Sequence, residues 1–297
     1  MKKQAINIWF SAAILLSALV LISCGGPGEG GRGGGGDVGE ASDGLSNSGL
    51  ETADYPTPVE LANCPADTFL AVTADPANSD LTAPELSVTC EGEEMVIVSN
   101  NMPNFEYVAI TPGTPGPQEI AYRIPLNPEF ADTTTGVPML GTSAIAVNGQ
   151  VIYGPTEGTT EDPFLNQLLD YCGGHNGPGA RYHFHTRPLC LFDDFDGNVG
   201  LVVAWSLDGF PVLAPFLCED ASCSSVKEIE SSWVDANPDE LNSWVRHEYV
   251  EEQSELDICN GMLFEDGSYA YFATETFPYL MGCYRGTPVN AGLGGVN

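Results

Sequence analysis

The 297-residue chain carries 41 acidic against 9 basic residues, a formal net charge of −32 at pH 7. So few Lys and Arg side chains exclude nucleic acid as a partner, since phosphates need cationic contacts, and they disfavour electrostatic attachment to anionic lipid. The acidic residues are spread along the chain, which fits a solvated surface in a salty exterior better than an acidic binding tail.

Residues 1–23 read as a signal peptide. Lys2 and Lys3 precede a mostly apolar run from Ile6 to Leu21, short for a spanning helix, and Leu21-Ile22-Ser23-Cys24 resembles a bacterial lipoprotein processing site. Cys24 is then the lipidated first residue of the mature chain. Gly25 behind it, with no aspartate there, resembles lipoproteins sent to the outer membrane or cell surface. Residues 24–54 are dominated by Gly, Ser, Asp and Glu, with Gly33 to Gly36 unbroken, and read as a flexible tether. The folded body is expected over residues 55–297, with the lipid anchor as its membrane contact and a non-cytoplasmic face of the envelope as its location.

Cysteine usage agrees with export. Cys64, Cys90, Cys172, Cys190, Cys218, Cys223, Cys259 and Cys283 are even in number, and the simplest of the possible pairings joins neighbours along the chain. None forms a C-x-x-C pair, which argues against thiol redox chemistry and a zinc ribbon.

The body is predicted mainly β, a disulfide-stabilised β-rich domain with short helices. Residues 68–73, 86–90 and 95–99 are short strand-like runs, and irregular structure is expected from Thr111 through Pro138. Asn148-Gly149 between alternating apolar residues predicts a hairpin with a type I′ turn. Asp162 and Pro163 then predict the start of a short helix whose apolar face is Phe164, Leu165, Leu168 and Leu169. Gly173 and Gly174 end it. Further on, Asn237-Pro238-Asp239-Glu240 is a candidate cap for a helix over Leu241, Trp244 and Val245, with a strand as the alternative.

The chain also repeats itself. Val147 to Pro155 aligns without gaps against Leu207 to Pro215, and Cys172-Gly-Gly-His175 with Tyr182 matches Cys259-Asn-Gly-Met262 with Tyr269. This predicts an internal duplication, a hairpin plus a cysteine-closed loop and strand, over about residues 144–190 and again over about 204–283. The second connector carries the small Cys218–Cys223 loop as an insertion.

The candidate chemistry lies between Cys172 and Cys190. On a strand, His183 and His185 face one way and Tyr182 and Phe184 the other, which brings the two imidazoles close enough to share an ion. His175 is expected to arrive from a glycine-rich loop. The second copy has Met262, Ala270 and Phe272 at the three positions, so the scaffold itself does not require imidazole. The trio is the predicted metal site, with Cu or Zn as the favoured ions. Asp208 is a candidate supporting carboxylate or base, against the stronger reading of a residue suited to a tight Asp-Gly turn. Other templates fail: there is no Gly-x-Ser-x-Gly elbow and no Walker loop, His247-Glu248 lacks a second zincin histidine, and Asp194 to Asn198 lacks the later glutamate of a calcium loop.

Tyr182-His183-Phe184-His185, together with Leu207-Asp-Gly-Phe-Pro-Val212, Leu256-Asp-Ile-Cys-Asn-Gly261 and Phe277 to Gly286, resembles the YHYH-domain family of bacterial exported proteins over most of residues 95–286. Phe184 stands where the family motif has its second tyrosine. The resemblance implies a domain type and no established activity. Three functional readings follow: a metal-binding envelope lipoprotein, a binding or adhesion module with a structural histidine cluster, and a metal-dependent hydrolase or oxidoreductase.

Overall fold

The computed structural model describes residues 50–58 and 61–289. The predicted signal peptide, Cys24 and most of the predicted tether lie outside the described residues. The body starts earlier than predicted: β1 (Thr52–Ala53), in the stretch expected to be tether, pairs in parallel with residues Leu263 and Phe264. A three-stranded antiparallel meander follows, β2 (Leu86–Glu91), β3 (Glu94–Ser99) and β4 (Ile120–Pro125). Met95, Ile97, Ile120, Tyr122 and Ile124 alternate inward from it and join the core.

Two predictions in this half need correction. Residues 68–73 form no ladder; a 3-10 turn over Pro65–Thr68 leads into extended chain. Conversely, the stretch expected to be irregular holds β4 and also β5 (Phe130–Gly136). β5 is polar and pairs only with β18 (Cys283–Gly286), about 150 positions later, so nothing local announces it.

The central sheet is built from the duplicated unit. The first copy supplies β6 (Ala144–Ala146), β7 (Val151–Ile152), β8 (Gly174–Gly177) and β9 (Arg181–Phe184). The second supplies β10 (Val202–Ser206), β11 (Pro211–Leu213), β16 (Gly261–Phe264) and β17 (Tyr269–Phe272). Strand order is β1-β16-β17-β11-β10-β6-β7-β9-β8, so the two copies mirror each other across the β10–β6 pair. Ile145 lies opposite Trp205, its own counterpart in the repeat, which marks a pseudo-two-fold axis. The registers agree as well. Ile152 opposite Phe184 matches Val212 opposite Tyr271, and His175 opposite His183 matches Met262 opposite Ala270.

Both hairpins turn with one left-handed glycine, Gly149 (φ 83°) or Gly209 (φ 96°), while Asn148 and Asp208 keep negative φ. This is the three-residue loop with a glycine bulge, not the predicted type I′ turn, which needs two left-handed residues. In each copy the glycine N–H donates back across the turn, to Ala146 or to Ser206.

The segment after Asp162 is a run of turns rather than a helix. Asp162 Oδ1 does accept from Phe164 N–H (2.8 Å) and Leu165 N–H (3.1 Å), as a cap does. Gln167 then turns left-handed (φ 57°), and Phe164, Leu165 and Leu168 point to solvent instead of forming a buried face. The later helix is one turn only, α1 (Ser243–Arg246), capped by Asn242 rather than by Asn237. The insertion between the copies adds β12 (Phe216–Cys218) with β13 (Val226–Glu228), and β14 (Trp233–Asp235) with β15 (His247–Tyr249). All four neighbour disulfides form: Cys64–Cys90, Cys172–Cys190, Cys218–Cys223 and Cys259–Cys283. Such bonds suit an oxidising, extracytoplasmic setting. Among the described residues, no helix is long and apolar enough to cross a membrane.

Candidate metal centre

His175 reaches the site from β8, a strand and not the loop expected from its glycines. β8 and β9 form a tight hairpin in which His175 and His183 are directly opposite. The glycines have a steric reason. A Cβ on Gly174 would meet His183 O at 2.5 Å and Tyr182 Oη at 2.6 Å, and one on Gly177 would meet His183 Cε1 at 2.7 Å. His185 follows β9 on the same face, its N–H bonded to Gly173 O at 2.9 Å. Tyr182 and Phe184 turn the other way and pack against each other and Phe105.

The three rings converge through their Nε2 edges. His183 Nδ1 lies 3.1 Å from Arg181 O, and His185 Nδ1 lies 2.7 Å from Gly154 O. A carbonyl only accepts, so each Nδ1 carries the hydrogen and each Nε2 presents a lone pair to the interior of the cluster. His175 Nε2 is 3.1 Å from His183 Nε2, and one ligand atom from each of the three histidines lies within 4.8 Å of the others. Glu157 closes the open side, with Oε1 3.0 Å from His175 Nε2 and 3.8 Å from His185 Nε2. Tyr153 stacks on His183, centroids 4.0 Å apart, and fixes that ring from behind.

All three histidines are buried, at 6 %, 5 % and 1 % exposure for His175, His183 and His185. Burial pushes His185 down to about 4. Burial first, and then repulsion from its two neighbours, holds His183 well below the usual imidazole range. Contact with His175 holds Glu157 below the ordinary carboxylate range. At neutral pH His183 and His185 are therefore neutral imidazoles beside one carboxylate, the protonation state in which these groups ligate metals. His185 Nε2 is buried and makes no hydrogen bond, and Glu157 Oε1 beside it faces only imidazole nitrogens, a costly arrangement that a shared cation at the Nε2 side would relieve. Three buried histidines so placed could hold a metal ion.

Comparison with known families turns on this segment and its flanks. A profile described as YHYH protein matches residues 121–286, more than half of the chain. The chain belongs to the YHYH protein family. No curated protein and no solved structure shows significant similarity to it. The matched region runs from β4 to β18 and contains both copies of the repeat.

Within this YHYH domain the predicted trio is brought together and the predicted supporting carboxylate is not. Asp208 sits in the second hairpin turn, fully buried, where Oδ2 accepts from Tyr271 Oη (2.6 Å) and Gly286 N–H (2.9 Å) and Oδ1 accepts from Ser206 Oγ. Its bonds all go to its own half of the domain, because the pseudo-two-fold axis separates that turn from the histidine hairpin. His247, the fourth histidine, donates from Nδ1 to Ser243 O and stacks flat on Phe277, so it is a core residue.

The residues missed are Glu157, Tyr153 and Asp170. Asp170 accepts from Cys172 N–H (2.9 Å), Gly174 N–H (3.3 Å) and the Tyr182 hydroxyl (2.9 Å), which pins the start of β8 to the back of β9. Asp257 does the same for Cys259, Gly261 and Tyr269 in the second copy. An aspartate two residues before the first cysteine of each loop was the available signal. In the second copy the three histidine positions are the buried Met262, Ala270 and Phe272, on an otherwise equivalent frame.

Proposed function

We propose that this YHYH protein is a cell-envelope lipoprotein that binds a first-row transition ion, Cu(II) or Zn(II), through His175, His183 and His185. The observation that carries the reading is the convergence of three buried imidazoles, with the tautomers of His183 and His185 set by Arg181 O and Gly154 O. Imidazole nitrogens suit Zn, Cu, Ni and Fe, and the cysteines that would favour a softer ion are committed to disulfides. With Zn–N bonds of about 2.0–2.1 Å, tetrahedral ligand nitrogens stand about 3.3 Å apart, close to the 3.1 Å between His175 and His183 Nε2. The bound ion would supply charge compensation for Glu157 and a partner for the lone pairs that have none. The lipid anchor on Cys24 and the location at the envelope rest on the processing-site sequence and on the four disulfides.

One observation favours the rival reading, a structural cluster: the 3.1 Å between His175 and His183 is itself a hydrogen-bond distance. Metal analysis of protein purified without a polyhistidine tag separates the two. The wild type is expected to retain close to one equivalent of metal and His183→Ala/His185→Ala almost none. Equal, negligible metal in both would leave the structural cluster as the function of the trio. For the anchor, Cys24→Ala is expected to move the protein from the membrane to the soluble fraction, and unchanged fractionation would rule the lipid attachment out.

A further inference from the structure

We propose that Glu157 is the fourth ligand of the histidine site, which makes it an N3O donor set suited to a divalent ion rather than Cu(I). The inference rests on the metal reading above and extends it to a residue outside the Cys172–Cys190 loop. Three independent observations support it.

The first is geometric. Glu157 Oε1 stands 3.0 Å from His175 Nε2 and 3.8 Å from His185 Nε2, spacings that bracket the roughly 3.3–3.6 Å expected between tetrahedral ligands of one ion with bonds of about 2.0–2.2 Å. Oε1 is buried and faces only imidazole nitrogens, and His185 Nε2 beside it, in a ring that is only 1 % exposed, makes no hydrogen bond. Two lone-pair groups pointed at each other across a buried gap are the arrangement that a cation between them would hold together.

The second is the way the backbone aims the side chain. Gly154, whose carbonyl fixes the tautomer of His185, lies three residues before Glu157. Glu157 itself begins a closed turn in which its N–H donates to Glu161 O (2.9 Å) and its O accepts from Thr160 N–H (2.8 Å). The same short segment therefore orients one imidazole and delivers the carboxylate. With 27 % of its side chain exposed against 6 % or less for the histidines, Glu157 stands between the trio and solvent.

The third comes from the repeat. Extending the gapless alignment of Val147–Pro155 with Leu207–Pro215 by two residues pairs Glu157 with Leu217. The second copy thus replaces His175, His183, His185 and Glu157 together by Met262, Ala270, Phe272 and Leu217, every one of them buried. Leu217 lies in β12, so the turn that carries Glu157 is itself specific to the histidine-bearing copy.

A mixed imidazole and carboxylate shell favours divalent ions, because a hard oxygen donor adds little for Cu(I) and one negative charge stabilises M(II). The test uses the full chain, stripped with a chelator and titrated with Zn(II) against a chromophoric competitor, then with Co(II) followed by its visible absorption. Glu157→Gln keeps the shape of the side chain and removes the charge. It is expected to weaken Zn(II) binding at least about 10-fold, the lower bound for residues that merely support a ligand. It should also shift the Co(II) bands in energy and intensity, which a carboxylate acting only through a histidine would not do. Wild type and Glu157→Gln with matching Zn(II) affinities and superimposable Co(II) spectra overturn this proposal and leave the three-histidine site intact. A wild type that takes up neither ion removes both readings. Far-ultraviolet circular dichroism of each variant, with Glu157→Ala as the second substitution, excludes misfolding as the cause of a loss.

Discussion

At the scale of single residues the site works by controlling which imidazole nitrogen is free. Two backbone carbonyls hold the Nδ1 hydrogens of His183 and His185, and burial keeps those rings neutral. This has a consequence for stability. The unfolded value for histidine is about 6.5, whereas His185 in the fold sits at about 4. Between these values the unfolded chain binds the extra proton, so stability is fully present above pH 6.5 and is lost as pH falls toward 4. His183 acts in the same direction. The metal-free protein is thus expected to lose on the order of 3 kcal/mol over this window from His185 alone. Denaturant midpoints at pH 7.5 and 4.5 check it, and a His185→Phe variant, which copies the Phe272 of the second repeat, should flatten the slope. A variant as pH-sensitive as the wild type would show that other groups control the acid limb.

At the scale of elements, one loop-and-strand unit is used twice, each held by three devices. An aspartate clamps the backbone N–H groups and a tyrosine hydroxyl, a glycine lets the hairpin strands approach, and a disulfide closes the loop. The disulfides differ in what they constrain. Cys172–Cys190 spans 18 positions and Cys218–Cys223 spans 5, for which chain entropy gives about 3 and about 2 kcal/mol respectively. Removal of Cys172–Cys190 by double alanine substitution is expected to lower the thermal midpoint more than removal of Cys218–Cys223. It should also weaken metal retention, because the loop it closes carries His175 and ends beyond His185. Calorimetry and metal content on the two variants test both parts, and equal metal retention would detach the disulfide from the site.

At the scale of the whole molecule, the pseudo-two-fold places a polar pocket in one half and an apolar packing unit at the matching place in the other. The second copy shows which side chains the frame accepts. Replacing His175, His183 and His185 by Met, Ala and Phe is therefore expected to give a folded, cooperatively unfolding protein with stability within about 1–3 kcal/mol of the metal-free wild type, the range for a repacked core. Circular dichroism and a denaturant curve decide the matter. A variant that fails to fold would mean that the histidines hold the domain together rather than serve an ion.

Much of this domain was legible from its residues. The alternation around Tyr182 to His185, the paired blocks of the repeat and the even number of cysteines determined the fold class, the duplication and the histidine trio, because each is a short-range pattern written in type and spacing, whereas neighbour pairing was only the simplest of the possible disulfide connectivities until the fold chose it. β4 was not read, although Ile120, Tyr122 and Ile124 alternate, because flanking prolines marked the stretch as irregular. Other features were decided only by tertiary structure. β5 exists because β18 offers it an edge far along the chain. The expected helix after Asp162 opens into turns at the left-handed Gln167, which leaves Phe164, Leu165 and Leu168 exposed. Asp208, a tempting carboxylate in the sequence, belongs to the other half of the pseudo-dyad, while Glu157, with no motif to mark it, is carried by the chain into contact with His175. Histidines can be found by spacing because they share one hairpin. The carboxylate that completes them comes from a different segment, and only folding sets that distance.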